Sequence, residues 1–516
     1  MAINLRSPSA EIREQRLGTI TAWDGPASRL ATESAFSRGD CGPGCGGRSQ
    51  RICELESPFS QGSTCSEQIA ESQASNVRDA VLVQHSPIGC AAGHINSNAF
   101  FRNGLLRRGL APRNVTGLSS NLVERDMIYG GADKLRETIR AAVNRHQPKA
   151  VFVATSCATG IIGDDVESVV RECEDDLGVP VVAMYCEGFK SKHWSSGFDA
   201  IQHGVLRHVV KKEPGKRQEN LVNIIVLWGS DVFTPMLAEL GLEANNILTV
   251  ASVEEIARAS EAVASATFCY SVGGYLGAAL EQQYGVQEIK APQPYGFAGT
   301  DAWLRALAKA TGREELAEAY IAREHARVRP QVEQLRERLK GVRGYVSMGA
   351  AYAHGVIGVL RELGVEVPGS LVFHHDPVYD RHDTRQDSLG HMVDTYGDVE
   401  HFSISNRQPY QFYNLLKRAN PDFIIIRHGG LAGLASRLGV PAIALGDAST
   451  AIGYQGMIDL GEEIVDALAQ RKFHQDLAGH TSLPYKQWWL DQTDPYLLAR
   501  QAASSQPAPA RAAGGR

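Results

Sequence analysis

A chain of 516 residues is long enough for several cores, and 43% hydrophobic with 21% charged residues is an ordinary globular composition. A net charge of -6 argues against a basic surface for nucleic acid or anionic lipid. Nine cysteines, an odd number, fit a reducing compartment better than a disulfide framework, so each is weighed as packing, ligand or nucleophile.

The first residues, MAINLRSPSAEIREQRLG, lack the apolar core of a secretory signal, and no later run approaches the ~20 apolar residues of a membrane span. A cytoplasmic protein is expected, with neither membrane nor nucleic acid as partner. CGPGCGGRSQRIC follows, with Cys41, Cys45 and Cys53. Its spacing offers three thiols without a nearby fourth, a weak zinc or small-cluster signal. In GSTCSEQIAE, Cys65 starts a helical pattern, so its sulfur would feel a helix N-terminus.

Strand-like apolar runs then alternate with helix-length segments: DAVLVQHS, AVFVATS, VPVVAMY, NIIVLWG, ATFCYS, GYVSMGA, LVFHH, DFIIIRHG and VPAIALG. Fully apolar strands separated by helices predict parallel sheets covered on both faces. In such sheets ligands bind beyond the carboxyl ends of the strands. Cys90 in SPIGC, Cys157 in SCATGIIGDD and Cys269 in ATFCYS all occupy such ends. Each is either a buried small hydrophobe or a ligand, and the glycines beside Cys90 and Cys157 favour the second reading. Cys173 lies in a polar helix, as packing or partly exposed, and Cys186 opens the loop CEGFKSKHW. Thiolates on separate strand ends suit a multi-iron sulfide cluster better than a single zinc ion.

Polar breaks at 211–220 and 323–344 set boundaries near 215 and 330. The expected organisation is an N-terminal extension (1–60), α/β domains over 61–215, 216–330 and 331–475, and a C-terminal segment (476–516) whose tail from Ser504 is compositionally disordered. HHDPVYDRHD crowds His374, His375, Asp376, Asp380, His382 and Asp383 into one loop, either a hydrolase metal site or a solvated loop.

Taken together, GSTC, SPIGC and SCATGIIGDDVE resemble the nitrogenase component 1 superfamily, specifically its α-type (D) subunit. The likeness continues through ERDMIYGGADKL, CEGFKSKHWSSGFDA, FCYSVGGYLGAALEQQYGV, HHDPVYDR and PDFIIIRHGG, over roughly residues 60–465. It implies three doubly wound Rossmann-like α/β domains with parallel sheets. It also implies a homologous K-type (β) subunit in an α2β2 heterotetramer and a separate ATP-dependent iron protein as electron donor. By the same resemblance Cys65, Cys90 and Cys157 match ligands of a P-cluster-type Fe8S7 group shared with the partner, with Cys53 as an alternative to Cys65. Cys269 matches the thiol holding one end of a complex iron–sulfur cofactor.

Two departures bear on function. In the pocket loop, nitrogenases carry glutamine and histidine where this chain has Trp194 and Phe198. Where the family's second cofactor ligand is a histidine, Gly446 stands, followed by Asp447. Asp447, His354, His428 or water are then the candidates for the cofactor's far end. Dinitrogen reduction is not expected, because phenylalanine cannot deliver the proton that a pocket histidine can.

The pattern is similar to methylthio-alkane reductases, which cleave C–S bonds of small thioethers such as methylthioethanol and dimethyl sulfide to methanethiol and a hydrocarbon. A non-catalytic cofactor-assembly scaffold and a vanadium or iron-only nitrogenase α subunit are the rival readings. The sequence has no GxxxxGKS or GxxxxGKT loop, so ATP is expected to be handled by the partner.

Overall fold

The computed structural model describes residues 3–32, 64–93, 97–191, 193–226, 229, 231–377, 387–405, 409–427, 429–446, 450–498 and 500–501. The chain divides into two compact units, one of residues 1–16, 63–332 and 445–460, the other of 17–62, 333–444 and 461–516.

The first unit holds two parallel sheets. In one, β3 (Gly117–Ser119), β2 (Ala80–His85), β4 (Ala150–Thr155) and β5 (Val181–Met184) lie side by side in that order. In the other the order is β7 (Glu243–Leu248), β6 (Gln218–Val226), β8 (Ala262–Thr267) and β9 (Gln287–Ile289). The second unit holds one sheet of β1 (Ala22–Gly25), β12 (His401–Ser405), β11 (Glu366–Val372), β10 (Arg343–Met348), β13 (Phe423–Ile426) and β14 (Ala442–Ala444). Its pairings are parallel except that of β1 with β12, which is antiparallel and departs from the all-parallel expectation. This is a mixed α/β fold built of Rossmann-like parallel sheets, as the alternation of runs predicts.

The period of two along each strand explains why these runs are apolar throughout. Leu82, Phe152 and Val182 face a core shared with the helices Ser66–Ser75, Ser196–His208 and Tyr270–Tyr284. Their neighbours Val81, Val83, Val151, Val153, Val181 and Ala183 face the opposite core, against the helices Ala132–His146 and Val166–Leu177. Full burial of each such valine or leucine stabilises the sheet by about 1.5–3 kcal/mol. Cys173 belongs to this second core and is wholly buried, which settles it as packing. Among the described residues no helix is long and apolar enough to cross a membrane.

Candidate functional site

Three neighbouring strands deliver sulfur to one sheet edge. β2 runs into Pro87 and the single-turn helix Ile88–Ala91, which carries Cys90. β4 runs into Ser156, whose hydroxyl accepts the Thr159 N–H at 3.4 Å and starts the helix Cys157–Ile162. β5 leads to Cys186 and the 3-10 turn Gly188–Lys190. Cys65 joins them as the N-cap of the helix Ser66–Ser75, as its position in the sequence predicts.

Cys65, Cys90 and Cys157 are half-buried free thiols, and Cys186 is buried. Gly188 sits between two of them. A Cβ built on it would stand 2.9 Å from the Cβ of Cys65, 3.4 Å from its Sγ and 3.6 Å from the Sγ of Cys157. Only a residue without a side chain leaves that space between the sulfurs. Sequence pattern had not singled out Gly188; the local signal was its place two residues after a strand-end cysteine.

Acidic groups surround the thiols. Glu67, Glu71 and Glu187 are all buried. Burial raises the Glu67 carboxyl to about 7, offset by a bond with Cys90 and reinforced by Glu187. Burial and the neighbouring Glu67 raise Glu71 to about 8. Glu187 accepts a hydrogen bond from Lys190 Nζ at 2.8 Å. Burial, then Glu67, Cys65 and Cys157, push the Cys90 thiol up to about 12. Burial likewise raises Cys65, with Glu67 and Cys157 adding to it, and Cys186, with Glu67, Glu187 and Cys65 adding to it. So much latent negative charge in one place becomes stable only with added positive charge, and a metal that turns thiols into thiolates supplies it. Among the described residues no three His, Cys, Asp or Glu side chains converge as they would on one ion. The spread of donors suits a polynuclear metal–sulfur group.

Beneath the thiols, His85 ties the loops together. Its Nδ1 lies 3.0 Å from Ser120 Oγ and its Nε2 3.0 Å from Asp164 Oδ2. Asp164 also accepts the Gly131 N–H at 2.9 Å. The loops after β2, β3 and β4 are thereby held as one surface. Ile88, Val123, Ile128, Tyr129, Ile161 and Phe189 stand exposed on it, Ile161 at 75% and Tyr129 at 80%. Contiguous exposed apolar patches larger than a few hundred Å² are rare on monomers and commonly mark interaction sites.

Cys269 lies elsewhere in the same unit, as N-cap of the helix Tyr270–Tyr284 and fully buried. Burial raises it to about 11, opposed by the N–H groups of Ser271 and Val272 and by the charge of Arg13. Arg13 and Arg16 enter the interior together, bonding Asp199 at 2.7 and 2.6 Å. Asp199 belongs to the helix Ser196–His208, which also presents Phe198. Gln202 of that helix accepts the Leu276 N–H at 2.8 Å and donates to the Val272 carbonyl, fastening it to the Cys269 helix. Trp194 and Phe198 are buried and meet edge to face, 6.0 Å between centroids.

In the second unit, His354 is buried, its Nδ1 2.8 Å from Ser388 Oγ. His428 and Asp447 lie outside the described residues, as do Cys41, Cys45, Cys53, Asp380, His382, Asp383 and the tail from Ser504. Gly446 is described, and a Cβ there would meet nothing within 4 Å among the described residues. The expectation of a solvated loop at 374–383 is corrected where the chain is described: His374, His375 and Asp376 are buried. Asp376 accepts from Thr19 Oγ1 at 2.5 Å, and His375 exchanges backbone hydrogen bonds with Ile20. These bonds fasten the chain after residue 17 to the end of β11.

Residues 65–469 match the family model for nitrogenase component 1 type oxidoreductases. The nitrogenase molybdenum-iron protein alpha chain of Methanosarcina barkeri is 29% identical over 56% of this chain and 56% of its own length. The match to that of Clostridium pasteurianum is 28% over 58% of each. The chain thus spans little more than half the length of these two relatives. The nitrogenase iron-molybdenum cofactor biosynthesis protein NifE of Methanococcus maripaludis is 28% identical over 76% of this chain and 80% of its own. The solved structure "Nitrogenase Cp1 at pH 5" superposes with a TM-score of 0.68 at 21% identity, over 84% of this chain and 92% of that one.

Proposed function

We propose a function from the premise that this chain belongs to the nitrogenase component 1 type oxidoreductase family: it is the α-type subunit of a nitrogenase-like assembly and bears an iron–sulfur cluster on Cys65, Cys90 and Cys157. The observation that carries this reading is the space Gly188 leaves between the sulfurs of Cys65 and Cys157. Such a cluster stores and passes electrons when bound. A homologous K-type subunit would complete an Fe8S7-type group from its own side in an α2β2 heterotetramer, and the exposed apolar loops beside the thiols give it a surface. An ATP-dependent iron protein would bring the electrons. Cys269 would hold one end of a second, larger iron–sulfur cofactor, with Trp194 and Phe198 in its wall.

For the finer role, cofactor assembly is supported by the NifE proteins among the relatives, which match three quarters of this chain as some nitrogenase alpha chains also do. It is supported too by Gly446, which supplies no ligand where the resemblance places a histidine in nitrogenases. A chain that holds a cofactor by one thiol can also release it.

The buried Trp194–Phe198 pair favours a second reading, methylthio-alkane reduction. Aromatic rings attract thioether sulfur by about 0.3–1.5 kcal/mol. In that reaction two electrons from the iron protein and two protons convert R–S–CH3 to R–H and CH3SH, breaking the R–S bond.

One preparation tests all of this: the chain purified without oxygen together with its K-type partner. Iron and sulfide in matching, multi-atom amounts are expected, and an essentially iron-free complex would sink the proposal. Activation of cofactor-deficient nitrogenase by the complex supports assembly. Methanethiol release from methylthioethanol or dimethyl sulfide, dependent on iron protein, ATP and dithionite, supports the reductase instead.

A further inference from the structure

Glu67 is two residues beyond Cys65, in the first turn of the helix Ser66–Ser75. Acidic residues are common there because they offset the helix dipole, but that role leaves the carboxylate on free N–H groups or in solvent. Here the Cys65 side chain makes no capping hydrogen bond, and the first-turn N–H groups of Glu67 and Gln68 face its sulfur, easing the rise of its thiol. The Glu67 side chain is 2% exposed, and its Oε1 is enclosed with no hydrogen-bond partner among the described residues. The carboxyl lies beside the Cys90 thiol, and its charge is felt at Cys65 and Cys186. It stands near the sulfurs rather than in solvent.

We infer that Glu67 is a fourth ligand from this chain to the cluster on Cys65, Cys90 and Cys157, its carboxylate oxygen binding an iron alongside the three thiolates.

The inference rests on the cluster reading above and adds a donor to it. An ionised carboxylate buried without a cation costs several kcal/mol, and among the described residues Glu67 has no cationic partner. An adjacent iron removes that penalty, and carboxylate oxygen is a fitting donor to the harder ferric state. Of its acidic neighbours, Glu187 is paired with Lys190 through Oε1, while Glu71, whose two carboxylate oxygens are also enclosed without a partner among the described residues, lies one turn further along the helix, toward Gly93.

The test compares wild-type, Glu67→Gln, Glu67→Cys and Cys157→Ala chains, each full length and isolated without oxygen with the K-type partner. Iron per chain, Mössbauer spectrum, midpoint potential and thermal midpoint are measured. The expected wild-type spectrum contains an iron site with oxygen in its ligand shell. Glu67→Gln removes that site and shifts the potential, and Glu67→Cys keeps the iron count while converting the site to all-sulfur ligation. If Glu67→Gln does not fold, Glu67→Cys decides alone. A wild-type spectrum and potential in either Glu67 variant overturns the inference. Loss of iron in Cys157→Ala beside unchanged Glu67 variants leaves the cluster reading standing and removes only the ligand. An iron-free wild type removes both.

Discussion

Gly188 is in direct apposition to Cys65, so close that a methyl group on the glycine would lie 2.9 Å from the cysteine Cβ. Backbone, not side chain, forms that wall of the thiol site. Gly188→Ala must push Cys65 aside. Metal affinity is expected to fall roughly 10- to 100-fold, as for lost support of a ligand, while overpacking costs about 1–3 kcal/mol. Iron analysis and a thermal melt of the same sample check both.

Burial of Glu67 and Glu71 makes the stability of the iron-free chain depend on pH. Their carboxyls sit at about 7 and about 8 in the fold against 4.5 ordinarily. The folded state therefore holds more protons than the unfolded one between those values. Stability is highest below about pH 4.5 for these groups and falls as pH rises toward 8, by up to about 1.4 kcal/mol per pH unit for each proton. Glu71→Gln is expected to flatten that slope in melts of iron-free protein between pH 5 and 8. An unchanged slope would refute this assignment.

Asp199 holds Arg13 and Arg16 at once, and all three side chains are buried. Asp199→Ala leaves two guanidiniums without their shared carboxylate. Losing one partner of a buried pair typically costs about 3–5 kcal/mol. Chemical denaturation of the variant is expected to show a loss of that order.

How much was legible follows from what the signals depend on. Runs such as AVFVATS and DFIIIRHG are apolar on both strand faces and identify β4 and β13 by themselves. β7, EANNIL, was missed because its polar side chain Asn245 is buried by pairing, donating to Asn223 at 2.9 Å. β1 and β12 hide in the same way behind Ser403, Asp24 and Arg418, which bond one another across the sheet edge. At the site, the cysteines were legible from their places at strand ends. Glu67 and Gly188 were not, since a buried glutamate in a helical turn and a glycine in a loop gain meaning only when distant segments converge.

Among the described residues nothing crowds Gly446, so packing against them does not demand its small size. Gly446→His is expected to fold with a stability change within about 0.5 kcal/mol. A large drop in thermal midpoint would show that the position is sterically closed to a ligand.

The hydrogen-bonded alignment of β2 with β4, ending at His85 opposite Thr155, and of β4 with β5, ending at Ala154 opposite Met184, reaches to within a few residues of Cys90, Cys157 and Cys186. Adjacent parallel strands stand ~4.8 Å apart. The gauge of this sulfur platform is therefore set by the peptide ladder itself. Lineages altering what the platform carries are free to exchange the groups around it, but widening or narrowing it requires rebuilding the sheet.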